Sequence, residues 1–445
     1  MTVASGSGGS LRERAEAAGT SFILALFVDL AGKPCAKLVP VSAVDALATE
    51  GVGFAGYAVG AIGQQPSDPD LMAIPDPASF TPIPFIKDGL ALVHCDPHVD
   101  GVPWPFAPRV ILRALLARAA AQGLSLNVGA EVEYFLVTRD AGGRPQPADP
   151  ADVAARPCYD ARGLTRMFDH LAAVSTGMNA LGWGNYANDH EDGNGQFEQN
   201  FEYADALTTA DRVISARYLI SMLAEQRGMT ATFMPKPFAD RTGNGLHLHM
   251  SLWRDGVAGF PGPDDGPADP RGLGLSALAY SFVAGVLEHA SALQAVAAPT
   301  VNSYKRTNAT STSSGASWSP KVPTYGGNDR THYVRVPDDQ RVELRGGDGS
   351  ANPYLAIAGA LAAGLDGIGR GLDPGDPGKA GERPPLPRTL LHAVEAFERD
   401  DVLTGALNAA GPGVAEYFAD LKREEFFAWH GAVGEWEIER YLTAF

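Results

Sequence analysis

Three segments of this chain place ionisable side chains two positions apart around an apolar residue: Glu131-Val132-Glu133, His247-Leu248-His249 and Arg341-Val342-Glu343-Leu344-Arg345. Successive side chains of a β-strand point to opposite faces, so residues i and i+2 share one. Each segment therefore reads as a strand with an apolar back, made by Val132, by Leu246, Leu248 and Met250, or by Val342 and Leu344, and a charge-dense front. A single strand of this kind is ordinarily half-buried with its polar side in water. Three of them, each near glycine, constrain the chain more, because their backs need a common core and their fronts gather charge.

The remaining sequence reads as scaffold for that front. Residues 21–41 (SFILALFVDLAGKPCAKLVPV) predict two strands around an Ala31-Gly32-Lys33-Pro34 turn. Residues 54–90 are rich in Gly and Pro, and VPWPFAP at 102–108 marks a boundary. Val110, Leu112, Leu115 and Leu116 then predict a helix ending before Gly123. Beyond it, NVGAEVEYFLV, GLHLHMSLW and QRVELRGG alternate as strands. Helices are expected over 205–227, 275–293 and 351–369, a Pro/Gly-rich loop over 370–388, and a last helical segment at the C-terminus. The expected fold is α+β: a flexible leader over 1–15, a small β-rich domain over 16–104 and a large α+β domain over 105–445.

The formal charge of −17 disfavours nucleic acid and anionic membranes as partners. No apolar run is long enough to span a bilayer, and the first residues lack the apolar core of a signal peptide. Cys35, Cys95 and Cys158 lie far apart, with neither CxxC nor zinc spacing, so reduced thiols in a cytoplasmic protein are expected.

A fourth segment, His190-Glu191-Asp192-Gly193-Asn194-Gly195-Gln196-Phe197-Glu198, reads as a glycine-containing loop with two more useful carboxylates, Glu191 and Glu198. Together with Glu131, Glu133, Glu343 and His247 it would supply five carboxylates and an imidazole. Bare carboxylates packed closely raise one another's pKa, and a bound cation removes that penalty. Oxygen ligands with one histidine suit Mg²⁺ or Mn²⁺, and neighbouring arginines suit phosphate oxygens. Carboxylates, divalent metals and arginines together describe phosphoryl transfer. Neither a GxxxxGK[ST] loop, nor a GxGxxG between strand and helix, nor a kinase motif set is present, so a nucleotide would be held in another way.

GAEVEYF, HEDGNGQFEQNF, GNGLHLHMSL, PTVNSYKR, RVELRGGDGSANPYLAIAGALAAGLDGI and WEIERYL resemble the ordered motif series of glutamine synthetases, from about residue 20 to the C-terminus. The resemblance implies a β-grasp N-terminal domain, a catalytic domain built on a curved antiparallel sheet funnel flanked by helices, and a ring-forming oligomer. That oligomer is commonly a dodecamer of two hexamers, with active sites between subunits. It also implies that Glu133, Glu191 and Glu198 hold a metal on the glutamate side, and Glu131, His247 and Glu343 hold one on the ATP phosphates. Arg306 and Arg345 would then bind the glutamate carboxylates, and Gly243 would offer backbone contact. Arg330, Arg335 and Arg341 would stabilise the transferring phosphate, with His249, Tyr203 and Ser251 on the nucleotide side. The implied chemistry is ATP-dependent joining of the L-glutamate side chain to ammonia or a small amine through a γ-glutamyl phosphate. The Ser/Thr/Asn-rich run 307–314 lies where the family has a mobile flap; by composition alone it reads equally as a surface loop.

Three departures bear on the amine and the acid. Ammonia-using members carry an Asp where this chain has Ala55 and a flap Glu where it has Trp318 or a neighbour. Ammonium is a small, strongly hydrated cation that needs acceptors and a base, whereas an apolar, aromatic site favours an amine that brings carbon. The pattern is similar to γ-glutamylmethylamide synthetases and related type III bacterial enzymes, with a small alkylamine expected ahead of ammonia. Thr242 stands where members often have Asn near the glutamate amino group. A silent structural homologue is the remaining alternative; such chains usually lose metal ligands, and here all six positions are filled.

Overall fold

Two sheets share the work of building this molecule. The computed structural model describes residues 9–263, 269–310 and 312–445. Of the expected leader, residues 1–8 lie outside the described residues, and the remainder corrects the reading. Ser10 caps a helix, Leu11–Ala17, in a reciprocal capping box with Glu13, and Leu11 and Ala15 are buried. The Ser-x-x-Glu signature was present in the sequence, ahead of a short apolar stripe.

The first sheet runs, in spatial order, Pro34–Pro40, Phe22–Val28, Leu90–Val99, Leu71–Pro75 and Val52–Phe54. Two short strands, Thr81–Pro82 and Val102–Pro103, also pair with Leu90–Val99. It is mixed, since Phe22–Val28 and Leu90–Val99 run parallel. Alternation divides its faces. Ile23, Ala25 and Phe27 pack with Leu11 and Val44 in a small core. Leu26 and Val28 face the other way and join the main core of the chain. The last strand of this sheet ends at Pro103, and the helix Pro108–Ala120 follows.

The second sheet has the order Asn185–His190, Gln196–Phe201, Leu124–Arg139, Leu246–Arg254, Arg341–Leu344, Val334–Asp338 and Tyr325–Gly326. Every neighbouring pair is antiparallel except the last. Val132, Leu246, Leu248, Met250, Val342 and Leu344 are all buried in the main core, together with the helices Ala206–Glu225 and Pro353–Arg370. The apolar backs of the three charged strands thus anchor one side of the sheet and leave the other for chemistry. The helix expected over 275–293 is two, Ala277–Glu288 and Ala290–Ala297, broken at His289. There the imidazole bonds Asp400 at 2.7 Å and Asp366 at 3.0 Å. No described helix is long and apolar enough to cross a membrane.

One buried cation on the helix Pro108–Ala120 ties the first sheet to the helices Ala206–Glu225 and Pro353–Arg370. The Arg109 guanidinium donates to Asp211 at 2.9 Å, Asp96 at 2.8 Å and Asp76 at 2.8 Å, and Tyr354 also donates to Asp211 at 2.6 Å. Removing one partner of such a network leaves buried charge uncompensated, at a cost of about 3–5 kcal/mol. Arg109→Ala is accordingly expected to lower the thermal unfolding midpoint sharply; an unchanged midpoint would show that the network carries no such weight.

Candidate active site

Strand register brings the predicted residues together. Glu133 stands opposite Glu198, and Glu131 stands opposite Asn200 on one side and His247 on the other. His249 faces Gly129 and Glu343, and Glu343 in turn faces Arg335. The Glu131 carboxylate accepts from both imidazoles, at 2.8 Å from His247 Nδ1 and 2.8 Å from His249 Nε2. His247 Nδ1 lies 3.6 Å from Glu343, and its Nε2 lies 3.8 Å from Glu133.

Two groups of potential ligand atoms, each within 4.8 Å of one another, result among the described residues: Glu131, His247 and Glu343, and Glu133, Glu198 and His247. The first is the trio expected on the ATP side. The second shares Glu133 and Glu198 with the other expected trio and adds His247, whose ring lies between both groups. Glu191 sits on the turn next to them, its carboxyl pushed up to about 8 by burial and by the charges of Glu133, Asp189 and Glu131. Burial and the charges of Glu131, Glu191 and Glu133 also push Glu198 well above the usual range. Burial acts the same way on Glu131, but the two imidazoles outweigh it and hold this carboxyl well below. Repulsion so concentrated, among oxygen donors with one imidazole, fits a hard divalent cation. Glycine at 245 lets these groups converge: a Cβ there would lie 2.8 Å from His247 Nε2, 2.9 Å from Glu133 Oε1 and 3.0 Å from Arg306 Nη2 and push them apart.

The arginines divide. Arg335 and Arg345 flank the fully buried Glu343, at 2.6 Å and 2.5 Å. Arg306 is buried with Nη1 unpartnered, and Arg345 Nε is likewise unpartnered. Buried donors left free in this way suit an incoming carboxylate. Gly243 lies between Arg306 and the Pro235 carbonyl, where a Cβ would come within 2.1 Å of that oxygen. Arg341 is exposed and pairs with Asp338 at 3.3 Å. Arg330 is also exposed. Beside the cluster opens a cavity of about 540 Å³, the size of a small-ligand site. Tyr203, His249, Ser251, Arg341 and Glu131 line it, with the aromatic rings of Tyr186 and Trp253.

Sequence reasoning missed the residue that orders the acidic turn. Buried Gln196 donates through Nε2 to Glu133 at 3.2 Å and to the Gly243 carbonyl at 3.1 Å, and accepts from Thr242 at 2.9 Å. Glu198 lies on a strand, Gln196–Phe201, rather than on a loop. All six residues of that strand are buried, so no alternation marked it. Of the amine-side positions, Trp318 donates to Asp192 on this same turn at 2.9 Å. Ala55 is exposed at the start of the Gly56–Val59 helix.

A charge-dense face, an adjoining cavity and unpartnered buried arginines mark a candidate active site, and comparison with known proteins makes its class glutamate–amine ligase. The glutamine synthetase catalytic-domain model matches residues 105–441. A glutamine synthetase of Rhizobium meliloti is 42% identical over 95% of this chain and 97% of its own length. A glutamate–methylamine ligase of Methyloversatilis universalis is 40% identical over 95% and 96%. A solved GmaS–ADP complex superposes with a TM-score of 0.89 at 46% identity, covering 97% of this chain and 99% of that one. The chain belongs to the glutamine synthetase family.

Gly245→Ala is expected to weaken Mn²⁺ binding by about 10–100-fold, read by titration calorimetry on the folded protein. Wild-type affinity in this variant would mean that the metal lies elsewhere.

Proposed function

We propose that this enzyme ligates the γ-carboxylate of L-glutamate to a small alkylamine at the expense of ATP. The γ-carboxylate attacks the terminal phosphorus of ATP, ADP leaves, and the amine then displaces phosphate from the γ-glutamyl phosphate. Arg306 and Arg345 would hold the glutamate carboxylates, Arg335 the transferring phosphate, and His249, Tyr203, Ser251 and Arg341 the nucleotide. Arg330 would take part only if the loop carrying it, or a neighbouring subunit, closes on the site. Mg²⁺ or Mn²⁺, held by Glu131, His247 and Glu343 and by Glu133, Glu198 and Glu191, would neutralise phosphate and carboxylate charge. ADP bound in the related GmaS structure supports the nucleotide assignment. Exposed Trp436, Ile438, Tyr441, Leu442 and Phe445 near the C-terminus support assembly into a larger oligomer, with a dodecamer as the proposed form.

One observation carries the choice of amine. Trp318, at or beside the position where the family resemblance places a glutamate in ammonia-using members, lays an indole against the turn bearing Glu191 and adds no carboxylate there. An aromatic wall rewards a methyl group and does nothing to dehydrate ammonium. The 40% identity to a glutamate–methylamine ligase points the same way. The 42% identity to a glutamine synthetase favours ammonia as the second reading.

With glutamate, ATP and Mg²⁺ fixed, phosphate release across an amine panel is expected to give methylamine a kcat/KM about ten-fold or more above ammonia. The reverse order would make the enzyme a glutamine synthetase proper.

A further inference from the structure

We propose that Asp192 is a positioning residue that latches the 312–320 loop over the reacting carboxylate, an inference that rests on the ligase reading. Asp192 follows Glu191 directly on the acidic turn and is 7% exposed. Its Oδ2 accepts from Ser314 Oγ at 2.5 Å and from Trp318 Nε1 at 2.9 Å. Both donors come from one loop, which has neither helix nor strand over residues 312–320.

Two further contacts show where that loop lies. Ser313 N donates to the Asp240 carbonyl at 2.6 Å, just ahead of Thr242 and Gly243. Arg241 Nη1 reaches the Asn194 carbonyl at 3.3 Å and so joins the two segments on which the loop rests. The loop therefore bridges the turn carrying Glu191 and the segment carrying Gly243.

Backbone conformation adds an independent sign. Trp318 has φ of 54°, a left-handed conformation that a bulky side chain rarely adopts, and its side chain is 48% exposed. Burial of the ring is too slight to hold it there, whereas the hydrogen bond to a buried carboxylate does. A loop pinned by so few contacts opens when the latch is cut. Water then adds to the acyl carbon of the γ-glutamyl phosphate in place of the amine. The C–O bond to phosphate breaks, glutamate and phosphate leave, and the proton of the water passes to solvent. The net result is ATP hydrolysis.

The test measures phosphate and γ-glutamyl amide in the same samples of full-length protein, with glutamate, ATP, Mg²⁺ and methylamine. Wild type is expected to release one phosphate per amide. Trp318→Phe keeps the ring without its donor, and Ser314→Ala removes the other bond. Each is expected to raise uncoupled phosphate release about five-fold. Asp192→Ala is expected to uncouple most, and Asp192→Asn, which keeps an acceptor oxygen, to fall between. General damage would lower both products together and leave their ratio alone. Wild-type coupling in both Trp318→Phe and Ser314→Ala would overturn the latch, whether or not the Asp192 variants fold. Wild-type protein that forms no amide with any amine would overturn the ligase reading and the latch with it.

Discussion

Glu133 and Glu198 stand opposite one another on neighbouring strands, and Glu131 lies two residues along on the same face. Three carboxylates so placed repel, and nothing in a strand ladder relieves that. The molecule relieves part of it with hydrogen bonds from His247 and His249 to Glu131 and with two guanidiniums on Glu343. The part left over pushes the pKa of Glu191 and Glu198 upward. Apolar residues in these places would be more stable, so the charge is kept for what it binds.

Much else in the fold makes that arrangement affordable. The apolar backs of the charged strands are sealed into the main core, so the register cannot slip without burying charge and exposing Leu246, Leu248 and Met250. Gln196 links Glu133 to the glycine segment beside Arg306, so two halves of the site are set by one amide. Gly243 and Gly245 lack the atoms that would otherwise fill the space between these groups.

The charged strands were legible because a period of two is a local property of the chain, and it placed Glu131, Glu133, His247, His249 and Glu343 on one face. What pairs across distance was not. Arg109 collects carboxylates from positions 76, 96 and 211, and no spacing announces it. The strand Gln196–Phe201 is buried on both faces and so shows no alternation. His289 interrupts an otherwise continuous helical pattern because its ring is claimed by Asp366 and Asp400, 77 and 111 residues away. The capping box at Ser10 and Glu13 is a local signature and is readable in the sequence.

We propose that this face holds two divalent cations. Anomalous scattering from crystals grown with Mn²⁺ and ADP tests this without recourse to activity. Two peaks are expected, one among Glu131, His247 and Glu343 and one beside Glu133 and Glu198. Crystals that hold ADP in the cavity yet show no Mn²⁺ peak on this face would contradict it.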